Sequence, residues 1–375
     1  MEIVVNTRLL LKNKLEGIGW FSYETLKRIT TDRPDDHFIF LFDRDFDEDF
    51  IFSDNITPLI LAPQARHPFL FYWWFEFSVA SFLNKFNPDI FLSPDGYLSL
   101  KANCKQLAVM HDLNFEHYPN DLPFLVRKYY KHFFPLFAQK ATRIATVSEF
   151  SKQDIVNTYN VSASKVDVVY NGCNSLYVPI NDELKKHTKQ KFSAKCDYFL
   201  FIGALHPRKN ISRLFKAFDK FKNMQSSDIK MLIVGEKYYW TSDIKHTYLN
   251  MQHKKDVIFT GRLAPEELKN VIGAALAMTY VPYFEGFGIP IVEAMNCDVP
   301  VITSDITSMP EIAGGAALLV DPFSVESIAN AMLYLYKDDD IRNVLIEKGR
   351  KRKQDFSWNK TATALWQSIE QTVNS

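Results

Sequence analysis

The chain has 375 residues, 47% of them apolar and 23% charged, enough to fill two cores at about 150 residues per domain. Lys plus Arg and Asp plus Glu both number 44, which removes the basic excess expected of a nucleic-acid-binding protein. The four cysteines (Cys104, Cys173, Cys196, Cys297) are far apart and form no C-x-x-C, which argues against a zinc site or disulfide framework and for reduced thiols in a cytosolic protein.

Along the chain the pattern is strand, loop, helix, repeated. Residues 3–5 open as a strand, without the basic start of a secretory leader. Gly17-Ile18-Gly19 precedes a helical run to residue 29, and 37–42 is a strand. Residues 68–85 form a helix containing FLFYWWFEF; it falls short of the roughly 20 apolar residues a membrane span needs and reads as a buried core helix, with a membrane-surface helix as the alternative. Residues 89–92 and 106–110 are short strands, the second running into His111-Asp112. A helix over 125–140, a strand over 143–147, a helix capped by Ser148 and a strand over 166–169 follow. The polar stretch 179–195 breaks the pattern and reads as a linker. This places domains over 1–178 and 196–356.

The second domain restarts the alternation. Strands are predicted over 198–202, 230–234, 257–260, 277–281, 300–303 and 317–320, and helices over 213–222, 266–275 and 325–335, with further helices starting at Pro290 and Pro310. Strands alternating with helices imply an α/β protein with parallel sheets covered on both faces. Two such halves imply two Rossmann-like, doubly wound domains facing a central cleft. Ligands in such sheets bind at the carboxyl ends of the strands.

Several chemically distinctive groups fall at those ends. Gly17 and Gly19 open a helix, where bare backbone and free amides suit an anion. They do not form G-x-G-x-x-G, so no dinucleotide fingerprint is read. His111 can donate a hydrogen bond to a substrate hydroxyl or carbonyl. Arg208 and Lys209, after the Gly203 loop, can neutralise a diphosphate. The most informative stretch runs from Glu285 to Ala294. Gly286 and Gly288 allow a tight turn, Pro290 suits the first turn of a helix, and amides near Phe287, Gly288 and Ile289 suit an anion. Glu285 and Glu293 flank that site. Two carboxylates beside an anion make sense when each accepts hydrogen bonds from hydroxyls, one set on a sugar and one on a ribose.

E-G-F-G-I-P-I-V-E-A resembles the E-x7-E motif of the retaining glycosyltransferases of family 4, which have the GT-B fold. G-I-G, H-D, T-V-S-E-F-S-K, V-Y-N-G, G-x-x-x-x-R-K-N and T-G-R-L follow in family order, and F-S-W-N-K-T-A resembles the family's closing segment. By that resemblance, the last helix, about 357–375, packs back on the first domain. The resemblance also implies that Arg208 and Lys209 bind the donor diphosphate, with Gly203 in the donor loop. Glu285 and the amides at Phe287, Gly288 and Ile289 would meet the transferred sugar and phosphate, and Glu293 the ribose. His111 would contact the sugar near the reacting face. Gly17 and Gly19 would lie near phosphate and acceptor, and Thr260, Gly261, Arg262 and Leu263 would border the nucleobase. The nucleoside-diphosphate sugar is then a co-substrate, with no cofactor and no metal expected. H-D-L-N-F-E-H-Y-P and G-A-L-H-P-R-K-N are similar to bacterial mannosyltransferases of surface-polysaccharide assembly, which points to GDP-mannose over a UDP-sugar and to a glycan or lipid-linked acceptor.

Other signals are weaker. Asp43, Asp45, Asp47 and Asp49 form D-x-D triplets that hold metal in a different fold; here they read as a solvated loop. The basic aromatic helix 126–140 reads either as core-packed or as lying on an anionic membrane surface, which would put a cytoplasmic enzyme at the inner face of the membrane. The rivals are a sugar-nucleotide epimerase, for which no acid/base carboxylates can be assigned, a nicotinamide dehydrogenase without its fingerprint, and a non-catalytic sugar-nucleotide-binding scaffold.

Overall fold

The computed structural model describes residues 1–236 and 240–375. They form two compact units, one of Met1–Gly172 with Ser357–Ser375 and one of Cys173–Phe356.

The first unit is built on seven parallel strands: β1 (Glu2–Asn6), β2 (His37–Phe42), β3 (Ile56–Ile60), β4 (Ile90–Ser93), β5 (Gln106–Val109), β6 (Arg143–Thr146) and β7 (Val166–Val168). Their order is β3-β2-β1-β4-β5-β6-β7. Side chains alternate between the two faces of a strand. Val4 therefore joins a core with Trp74, Phe75, Leu83 and Phe137, while Ile3 and Val5 join one with Phe21, Leu26, Trp358 and Leu365. The closing helix Trp358–Val373 lies in the second of these cores.

The second unit has six parallel strands: β8 (Tyr198–Ile202), β9 (Lys230–Val234), β10 (Val257–Gly261), β11 (Ala277–Tyr280), β12 (Val301–Ser304) and β13 (Ala317–Val320), in the order β10-β9-β8-β11-β12-β13. β11 and β12 are buried at every residue and β8 at all but its last, as expected of a parallel sheet covered on both faces.

Three expectations need correcting, and β3 is additional to the expected strands. The stretch 179–195 is not a free linker: Asp182–Ser193 is a helix, capped by Asn181, within the second unit. β3 escaped notice because Pro58 interrupts its pattern; it is an edge strand, where a missing amide is tolerated. The aromatic run is not a wholly buried helix. Pro68–Trp73 and Ala80–Phe86 are α-helical, but Trp74–Val79 is a π-turn. Trp74, Phe75 and Val79 are buried, whereas Phe69 is 74% and Trp73 54% exposed. Finally, Asp43 is buried rather than solvated, paired with Arg44 and accepting the Ala65 amide at 2.8 Å. Among the described residues, no three His, Cys, Asp or Glu side chains group to hold a metal ion, and no helix is long and apolar enough to cross a membrane.

Candidate active site

In the second sheet the strand order reverses between β8 and β11, the place where an open parallel sheet offers a ligand its crevice. β8 runs out through Gly203, held at φ +143 against Gly235, where a Cβ would lie 2.0 Å from the Gly203 carbonyl oxygen. The chain then makes the short 3-10 turn Pro207–Lys209, which carries Arg208 and Lys209. Asn210, left-handed at φ +64, ends the turn. Its amide donates to the carbonyls of Val281 at 3.0 Å and Pro322 at 2.7 Å, tying this loop to the end of β11. The Tyr283 amide adds a bond to the Arg208 carbonyl at 3.0 Å.

Glu285 sits in the β11 loop. Arg208 Nη1 donates to its Oε2 at 2.6 Å and Lys209 Nζ donates to the same oxygen. Lys209 Nζ also meets the Tyr280 hydroxyl at 2.5 Å. Burial pushes the Glu285 carboxyl up, but the two cations outweigh it and hold the carboxyl below its usual range. Arg208, Lys209 and Glu285 together carry one net positive charge, which favours an anion beside them. The Ser308 hydroxyl fixes the loop by donating to the Glu285 carbonyl at 2.8 Å.

Gly288, at φ +91, precedes the helix Ile289–Asn296. Pro290 has no amide hydrogen, and the Ile291 amide donates to the Gly288 carbonyl at 3.0 Å, so the amides this helix end can offer are those of Gly288 and Ile289. Phe287 is buried, edge-on to Phe356 at 5.5 Å. Glu293, one turn into the helix, is half-buried and shares a hydrogen bond with the Tyr177 hydroxyl. Burial pushes its carboxyl up to about 7. Thr260, Gly261, Arg262 and Leu263 mark the carboxyl end of β10, two strands from β8 and so roughly 10 Å away. The Thr260 hydroxyl donates to the Gly261 carbonyl at 2.9 Å, and Gly261 has open space around its Cα at φ +72.

Gly17, Gly19 and His111 belong to the first unit. Gly17 is exposed with open space around it, whereas Gly19 is buried and a Cβ there would lie 3.1 Å from the Leu9 carbonyl. Gly19 therefore serves close packing. His111 follows β5, and its Nε2 lies 2.8 Å from the Pro94 carbonyl. A carbonyl can only accept, so Nε2 carries the hydrogen. Burial lowers the pKa of the ring and keeps it neutral, leaving the lone pair on Nδ1. Toward a ligand His111 is thus an acceptor, not the donor expected from sequence.

Residues 17–175 match the family model described as Glycosyltransferase Family 4, and residues 182–352 match that described as Glycosyl transferases group 1. The chain belongs to family 4 of the glycosyltransferases. It is 28% identical over 391 aligned positions to O-antigen chain mannosyltransferase B of Escherichia coli, covering 100% of this chain and 99% of the relative. It is 31% identical to the O-antigen chain mannosyltransferase RfbU of Salmonella typhimurium over 60% of each chain. Sucrose-phosphate synthase from Thermosynechococcus elongatus superposes with a TM-score of 0.77 at 18% identity, over 99% of this chain and 98% of that one. The Anabaena protein Alr3699/HepE in complex with UDP-glucose superposes with a TM-score of 0.76 at 17% identity, over 99% and 100%. The fold of this glycosyltransferase is GT-B.

Within the transferase, the geometry brings Arg208, Lys209 and Glu285 into direct contact and leaves Glu293 on a separate partner, Tyr177. Sequence reasoning missed Asn210, Tyr280, Tyr177 and Ser308 as supports of the site. Asn210 stands in the quoted R-K-N, and a residue suited to φ above zero directly before a helix was a readable sign. Tyr177, Tyr280 and Ser308 carry no local signal.

Proposed function

We propose that this glycosyltransferase moves mannose from GDP-mannose to a glycan or lipid-linked acceptor of cell-surface polysaccharide, with retention of the anomeric configuration. The observation that carries the proposal is the Arg208–Lys209–Glu285 cluster at the strand-order reversal of the second sheet. A donor diphosphate would take over the two cations and release Glu285 to accept hydrogen bonds from sugar hydroxyls. The amides of Gly288 and Ile289 would face the phosphate and sugar, Glu293 would accept from the ribose, and Thr260 to Leu263 would border the base. His111 Nδ1 would accept from a hydroxyl of the transferred sugar. As the anomeric C–O bond breaks, Arg208, Lys209 and the helix amides stabilise the charge on the departing diphosphate. Its oxygen then takes the proton of the acceptor hydroxyl that attacks on the same face. The positive charge needed by the leaving group is met by these groups, and neither a metal nor a cofactor is assigned. Mannose is supported by the likeness to the two O-antigen chain mannosyltransferases.

We also place the acceptor reaction at an anionic membrane surface. Phe69, Tyr72, Trp73 and Phe77 are exposed side by side. The helix Phe124–Lys140 packs against them through Phe133, 5.7 Å from Tyr72, and exposes Lys128, Lys131, Lys140 and Leu136 with no acidic residue of its own. Aromatic rings beside a cationic face suit an anionic bilayer.

The test of the donor assignment is a thermal-shift panel of GDP-, UDP- and ADP-sugars on the wild type and on Glu293→Ala. A ligand at about 100 times its Kd stabilises a fold by about 2.7 kcal/mol. A shift with GDP-mannose that weakens in the variant is the expected result. A shift with a UDP-sugar alone replaces the donor, and no shift with any sugar nucleotide defeats the assignment.

A further inference from the structure

The first sheet has its own reversal, between β1 and β4, and the residues that leave those two strands have no role so far. Arg8 follows β1 and Asp95 follows β4. The Arg8 side chain is only 8% exposed, and its guanidinium lies 4.3 Å from the ring centre of Tyr97 and 5.1 Å from that of Phe71. Nε donates to Asp95 Oδ2 at 2.7 Å. The other oxygen of Asp95 is occupied from within, by Asn6 Nδ2 at 2.8 Å and Ser93 Oγ at 3.0 Å. Asn6 Oδ1 accepts the Arg8 amide at 3.3 Å, so the network converges on holding this one arginine.

Among the described residues the two Nη nitrogens have no hydrogen-bond partner, and neither is fully enclosed. Two other arginines of the chain close their fork on an aspartate. Arg44 grips Asp43 through Nε at 2.6 Å and Nη2 at 2.8 Å, and Arg143 grips Asp167 through Nε at 2.8 Å and Nη2 at 2.5 Å. The most buried of the three pairs is the one that leaves its fork open. A buried guanidinium with four unmatched N–H groups is costly unless something accepts from them. The open edge is donor-only, because the oxygens of Asp95 are already engaged. A sugar hydroxyl accepts from one N–H at a time, whereas two parallel N–H groups match two oxygens of one oxyanion and its charge.

We propose that Arg8 binds an oxyanion, phosphate or carboxylate, carried by the acceptor, with Asp95, Asn6 and Ser93 as positioning residues. This rests on the glycosyl-transfer reading for the word acceptor, but the anion site itself does not. The probe is inorganic phosphate, followed by calorimetry on the full chain carrying Arg208→Gln and Lys209→Gln, which removes the two cations paired with Glu285. Saturable binding is expected, weakened about tenfold when Arg8→Lys is added, because one charge-assisted bond of the fork is lost while the charge beside Asp95 is kept. Equal binding with Lys, or no binding before it is introduced, overturns the proposal. A second arm measures the thermal shift by the sugar nucleotide in otherwise wild-type protein with Arg8→Lys. An unchanged shift is expected; a lost shift assigns the oxyanion to the donor and overturns the acceptor assignment. Should Arg8→Lys fail to fold, the arginine side-chain NMR spectrum of the Arg208→Gln, Lys209→Gln protein decides, and an Arg8 Nη signal that ignores added phosphate overturns the site. Failure of the donor panel leaves these phosphate results standing, so the two failures are distinguishable.

Discussion

A carboxyl pushed up to about 7, as burial pushes that of Glu293, changes its charge in the range where enzymes work. The shift is upward from an ordinary carboxyl, so the folded chain holds this proton more tightly than the unfolded chain. Glu293 thus contributes stability that is complete below about 4.5 and is lost as the pH rises through about 7, up to about 3 kcal/mol in all. Melting of wild type and Glu293→Gln at pH 5 and pH 8 should show the wild type losing ground to the variant at the higher pH. A constant difference would mean that the carboxyl is already ionised. The same titration bears on the donor, because the ionised carboxylate accepts from ribose hydroxyls more strongly than the protonated acid. Donor affinity should rise with pH through 7 in the wild type and stay flat in Glu293→Gln. At Gly288 the expected effect is backbone strain: φ +91 suits only glycine, and an added Cβ would lie 2.8 Å from Met309 Cε. Gly288→Ala should cost about 1–3 kcal/mol by denaturant unfolding. The residue types of this site were legible because cations, paired acids and glycines cluster at predicted strand ends. Their pairing was not, since Arg208 and Glu285 arrive from different strands and His111 shows its tautomer only beside Pro94. Arg8 and Asp95 are 87 positions apart and carry no shared pattern.

Elements fail to declare themselves when their burial does not follow a simple period. The helix Asp182–Ser193 buries Thr188 and Ser193 rather than an apolar stripe, so its composition imitates a linker. The capping asparagine and the acidic first turn, Asp182 and Glu183, were the readable signs of a helix start. In the run from Pro68 to Phe86, the π-turn shifts the register partway along. Trp73 and Phe77 consequently share an outer face, 4.9 Å apart between ring centres, while Trp74 and Phe75 point into the core. An aromatic helix read with one period could not show both faces. The exposed face yields a test of the membrane proposal. Co-sedimentation with phosphatidylglycerol-rich vesicles should fall when Phe69 and Trp73 are changed to Ser, and fall again with Lys128→Gln and Lys131→Gln, at about 1 kcal/mol per cation. Melting temperature should hardly move, because these side chains are already in water. Binding that is equal to phosphatidylcholine vesicles, or untouched by either pair, removes the bilayer as the occupant of this face.

The two sheets repeat one plan. In each, the two strands after the first wind one way and the rest wind the other way, so each unit has a reversal point with polar residues at the strand ends. That plan was legible as strand-helix alternation, since parallel strands covered on both faces must be apolar runs separated by helices. Chain order hides one dependence within it. The first unit is not finished when the chain leaves it at Gly172, because its second core includes Trp358, Leu365, Trp366 and Ile369, all buried, from the last helix. Gly172 itself meets the start of that helix so closely that a Cβ would lie 2.2 Å from the Trp358 amide nitrogen. Removing four such side chains forfeits about 6–12 kcal/mol of burial, comparable to the whole stability of a domain. A chain ended after Phe356 should therefore keep slow hydrogen exchange in β8 and β11 and lose it in β1, β4 and β5. Protection that persists in β1 would show that the first unit's core stands without its last helix. Loss in both sheets would show that the second unit also depends on it.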